Sequence, residues 1–130
     1  MGLLLGVPFL AHGEVVVVVA KGGTGGMTKE QISDVFLGKA SSLPGGTAAV
    51  LIDQPESSPL REEFYTKLTG KSAAQAKAYW SKLAFTGKGT PPKEVSSTPE
   101  VKKAVAGTPG GIGYIEKSAV DDSVKVIFGN

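Results

Sequence analysis

Five consecutive valines, Val15 to Val19, constrain this chain more than any other feature. Each valine carries two heavy groups on Cβ, which fixes χ1 and crowds a helical turn, so the run favours an extended backbone. The stretch 14–20 shows no alternation of apolar and polar residues, and a strand with one wet face is therefore excluded. Both faces need covering. In a single chain of this size, helices packed above and below a sheet supply that cover.

The rest of the chain carries the matching signals. Thr28 with Gln31 forms a capping box ahead of a helix bearing Ile32, Val35 and Phe36, closed by Gly38. A turn-rich loop at 41–46 leads to a second buried strand at 48–52. Ser58-Pro59 opens another helix, because serine caps well and proline suits the first helical position. Leu60, Phe64 and Leu68 recur along it at helical spacing, and Gly70 ends it. Ser72 with Gln75 caps the next helix, which runs to about residue 85 with Ala76, Tyr79, Trp80 and Leu83 as its buried stripe. Residues 86–92 form a connecting loop. Thr98-Pro99 repeats the cap-and-proline signal for a short helix with Val101, Ala104 and Val105 inward, and 112–115 and 124–128 read as two more strands. Strands alternating with helices give an α/β domain, with a mostly parallel or mixed sheet flanked by helices.

Composition narrows the function classes. The 130 residues are 41% hydrophobic and 20% charged, with a net charge of +2 and no cysteine. That suits one folded domain rather than a disordered chain. Lysines are scattered, with no aromatic-basic interleaving, so nucleic acid is not an expected partner. His12 is the sole histidine and lies near the start, which leaves the body without a histidine metal cluster or a Ser-His-Asp triad. No catalytic residue, metal or cofactor is therefore expected. The apolar run 3–10, broken by Gly6 and Pro8, is too short for a membrane span, which needs about 20 apolar residues. It ends in Ala11-His12-Gly13, with small residues at the positions a signal-peptide cleavage site uses. Residues 1–13 are thus expected to be a secretory signal, shortened at its basic start, ahead of one domain at 14–130 in the periplasm or outside the cell.

Two short motifs fail on context. Gly70-Lys71-Ser72 resembles the end of a phosphate-binding P-loop, but Tyr65 stands where the upstream glycine belongs. Gly111-Ile-Gly-Tyr begins like a dinucleotide fingerprint and ends in Glu116. Asp53 and Glu56 read as solvated loop carboxylates, and Tyr79 and Trp80 as core. The segment 50–64 is more informative. There a buried strand passes through a short loop into a capped helix, and such a helix N-terminus presents unpaired N–H groups and a positive dipole end to an anion. Gln54, Ser57, Ser58 and Arg61 are the candidate ligand residues, with Arg61 able to offer a bidentate fork. In the alternative, Ser58 only caps the helix and Arg61 is a solvated residue pairing with Glu62 or Glu63.

Val35-Phe-Leu-Gly38, Ser58-Pro-Leu-Arg61 with Phe64, and Gly111-Ile-Gly-Tyr114 follow one another in an order that resembles the phosphate-type solute-binding proteins of ABC importers. The resemblance covers nearly everything from Glu14 onward, at about half the length of such a protein. It implies one lobe of a two-lobed α/β clamp that closes on an oxyanion such as phosphate. Hydroxyls, backbone N–H groups and arginine would hold that anion. The chain departs from the family's Ser-Gly-Thr-Arg pattern at Pro59, which removes a donor, and Leu60, which removes a hydroxyl. Asp53 and Gln54 occupy the region of an expected arginine, and a carboxylate there repels phosphate. Two functions follow as expectations. One is oxyanion capture linked to an ABC permease, by a lone lobe or a lobe paired by dimerisation. The other is a non-catalytic interaction or sensory module that docks on a sensor, transporter or second lobe.

Overall fold

The computed structural model of the chain describes residues 14–129. The signal expected at 1–13 lies outside the described residues. The valine run forms β1 (Val15–Ala20), and its neighbours explain why it has no polar face. Val15, Val17 and Val19 enter one core, while Val16 and Val18 enter the other.

Among the described residues, five strands make one mixed sheet: β1, β2 (Val50–Asp53), β3 (Lys93–Glu94), β4 (Gly111–Glu116) and β5 (Val124–Phe128), in the order β3-β2-β4-β1-β5. β2 runs parallel to β3 and β4, whereas β1 is antiparallel to both β4 and β5. β1 alone therefore runs against the other four.

The helices are α1 (Lys29–Phe36), α2 (Pro59–Thr69), α3 (Ala73–Phe85) and α4 (Thr98–Ala106), with a 3-10 turn at Lys117–Ala119. Thr28 and Ser72 close capping boxes with Gln31 and Gln75, and Ser58 caps α2 with Pro59 in its first turn. α1 and α2 cover one face of the sheet through Ile32, Phe36, Phe64 and Leu68, and α4 covers the other through Val101 and Val105.

The Gly-x-Gly of β4 answers to packing. A Cβ on Gly113 would stand 2.9 Å from Val101 Cγ1, so only glycine lets α4 approach this closely. Gly110 just before it has φ +81°, and a Cβ there would fall 2.0 Å from the Ala48 carbonyl oxygen.

Three expectations need correction. The second strand covers Val50–Asp53 instead of 48–52, and Val50 is 36% exposed because the two-residue β3 pairs only with Ile52 and Asp53. β3 itself carries too few residues to show a period. The cap of α4 is Ser97, whose Oγ accepts from the Glu100 N–H; Thr98, one position inside, donates instead to Glu116 Oε1 at 2.7 Å. In α3 only Ala76 and Trp80 are buried, since this helix packs chiefly on α2, with the Trp80 indole reaching the end of α1.

Candidate functional site

β2 ends on a buried charge. Alternation along the strand sends Ile52 toward α4 and Asp53 toward α2, where Asp53 is 2% exposed. The solvated loop carboxylate expected at this position is thus an interior group. Its Oδ2 accepts from Tyr65 Oη at 2.7 Å, and its Oδ1 accepts from Tyr114 Oη and from the Gln54 N–H at 2.9 Å. Tyr65 comes from α2 and Tyr114 from β4, so one carboxylate joins three elements.

Arg61, 5% exposed, answers that charge. Its Nε lies 3.9 Å from Asp53 Oδ1, and Nη1 donates to the Gln54 carbonyl at 2.8 Å and to Glu94 Oε2 at 2.9 Å. The expectation of a solvated arginine paired with Glu62 or Glu63 is overturned, because the first turn of α2 points Arg61 back under the loop toward β2 and β3. Burial acts to lower the guanidinium pKa, but Asp53 and Glu94 outweigh it and the net shift is upward. Both tyrosine hydroxyls are pushed far above their ordinary range, first by burial and then by the adjacent Asp53 carboxylate. Nε is buried without a hydrogen-bond partner, and Nη2 makes no hydrogen bond among the described residues.

The four candidate ligand residues do not share one hollow. Gln54 and Ser58 line a depression of about 440 Å³ where α2 and α4 begin, together with Thr98, Glu116 and Ser118. There Ser58 Oγ donates to Gln54 Oε1 at 2.8 Å, and Gln54 Nε2 donates to the Tyr114 carbonyl at 2.9 Å. Ser57 is exposed and lines neither this depression nor the larger cleft. Arg61 opens on the other side of the loop, into a cleft of about 550 Å³ between α2, α3 and β3.

The donors at the start of α2 are also spoken for. Pro59 has no N–H, the Leu60 N–H meets Ser58 Oγ at 3.2 Å, and the Arg61 N–H meets the Ser58 carbonyl at 3.1 Å. A helix start attracts anions through its orphan donors, and here the cap has consumed them.

Sequence reasoning missed Tyr65, Tyr114 and Glu94. Tyr65 and Tyr114 sit 12 and 61 residues from Asp53, separations without a periodic signature. One signal was available: a carboxylate that ends a buried strand in step with Leu51 needs interior partners. Among the described residues, no group of three or more His, Cys, Asp or Glu side chains could hold a metal ion.

No protein-family model matches the chain, and no curated protein is detectably similar to it. Solved structures do match in fold. A Clostridium perfringens protein with bound phosphate, assigned as a phosphate ABC transporter substrate-binding protein, aligns at a TM-score of 0.69 and 22% identity. An ABC-type phosphate transport receptor from Vibrio cholerae aligns at 0.69 and 20%, and PstS from Borrelia burgdorferi at 0.62 and 15%. Each alignment covers 88% of this chain and 44%, 45% and 46% of the other, respectively. The chain thus spans less than half the length of these structures. It shares the α/β fold of the part of those structures that it covers.

Proposed function

We propose that this chain is a non-catalytic lobe of solute-binding type that works in the periplasm or outside the cell, alongside an ABC permease, a sensor or a second lobe. Its own role is to dock on a partner, without tight capture of a solute. One observation carries this reading: the Asp53 carboxylate already occupies the buried nest of donors beside Arg61. An arriving oxyanion would compete with a built-in one and meet its repulsion at short range. The α/β fold it shares with phosphate-binding neighbours supports a place in the same kind of system.

Calorimetric titration with phosphate and sulfate tests the proposal. We expect no heat of binding at millimolar anion, for the monomer or for any dimer. A saturable heat that Arg61→Ala abolishes would establish the opposite reading, oxyanion capture by Gln54, Ser57, Ser58 and Arg61. That second reading is favoured by one finding, the phosphate held by the Clostridium perfringens neighbour.

A further inference from the structure

The sequence from Lys71 to Lys93 holds five lysines and no aspartate or glutamate. In the fold it becomes α3 and the run into β3, a single flank of the molecule. Phe85 at the end of α3 is 92% exposed. An aromatic ring left in water at this extent has no packing role among the described residues.

Behind Phe85 lies the cleft of about 550 Å³, walled by Trp80, Ala84, Phe85, Pro91 and Pro92. A second hollow of about 460 Å³ adjoins it across Trp80 and Pro91 and adds Lys88, Lys93 and the half-exposed Val50. Lys82 stands one turn before Phe85. Lys82, Lys88 and Lys93 are exposed and form no salt bridge among the described residues. The two acids that line the cleft, Asp53 and Glu94, both face Arg61, and Lys77 is held by Glu56. Lys88 and Lys93 thus line the second hollow and Lys82 stands beside Phe85 on α3, so the apolar concavity lies next to three uncommitted positive charges.

We propose that this flank docks an acidic segment of another protein, which seats an apolar side chain in the cleft beside Phe85. The inference rests on the reading of the chain as an interaction module and names its surface and the chemistry of its partner. Charge complementarity selects an acidic partner. Concavity selects a protein over a membrane, because a bilayer surface offers no protruding side chain to fill a cleft walled by tryptophan and proline. Aromatic anchors at the centre of a polar rim are the usual energetic core of such contacts.

Trp80 is the sole tryptophan, so its emission reports occupancy directly. The probe is an end-capped peptide of glutamate and leucine, compared with its lysine–leucine and glutamate–serine counterparts. We expect a saturable emission change with the glutamate–leucine peptide alone, weakened at least tenfold by Phe85→Ser, by Lys82→Glu with Lys88→Glu, or by raised salt. All three residues are exposed, and circular dichroism checks that the variants stay folded. No change up to millimolar peptide, equal binding of the lysine peptide, or indifference to Phe85→Ser would overturn the proposal. So would tighter binding to phosphatidylglycerol vesicles than to the peptide. Phosphate heat together with peptide binding would leave this surface standing while the function proposed above fell.

Discussion

Asp53 closes a strand with a charge that the fold must then neutralise. Breaking a buried pair leaves one charge uncompensated, which is far more costly than never having buried the pair. Arg61 keeps Glu94 when Asp53 is neutralised, so Asp53→Asn is expected to lower stability by about 1–3 kcal/mol, and adding Arg61→Met is expected to restore part of that loss. Urea unfolding of the single and double variants checks both expectations. The two tyrosines bring a pH dependence with a definite sign. Their folded pKa values are raised, so the native state keeps protons that the unfolded chain sheds near pH 10. Their contribution is complete below that pH and declines as pH rises above it. The urea midpoint should fall steeply above about pH 10, and less steeply in Tyr65→Phe. An unchanged slope in that variant would refute the assignment. At this scale the sequence was half legible. Ser58 as a cap and Phe64 as core could be read from local chemistry. The Asp53 partners could not, because no local rule links residues brought together only by sheet order.

The elements were far more legible, and the reason is the same. Caps and periods act over a few residues, so Thr28 with Gln31, Ser58 with Pro59 and Ser72 with Gln75 set their helix starts as expected. Errors appeared where tertiary context decides. β3 is stabilised by its neighbour β2 instead of by its own two residues, and the outer face of α3 stays wet because no layer among the described residues lies beyond it. β4 shows tertiary context acting on a single glycine. Gly113→Ala would push a methyl group into Val101 and Val105, and such overpacking costs about 1–3 kcal/mol. Val101→Ala in the same chain should recover part of that loss. Thermal unfolding of the two variants tests it, and an equally unstable double variant would contradict the packing account.

The whole molecule is a sheet with two unequal covers. The valine run predicted both covers from five residues, since a strand without a polar face has nowhere else to go. The surface that meets a partner was not legible, because exposure of Phe85 and the isolation of three lysines depend on what does not pack there. α3 is attached to this body by Ala76 and Trp80 as its only buried side chains, with Trp80 Nε1 donating to the Phe36 carbonyl at 2.8 Å. A lone helix of this length is marginal in water. The indole thus works as a bolt, and its loss is expected to loosen residues 73–85 while the sheet stays shut. Amide deuteration should accordingly reach α3 long before β1, and Trp80→Phe should widen that gap, leaving a hinged wall on the side where a partner would arrive.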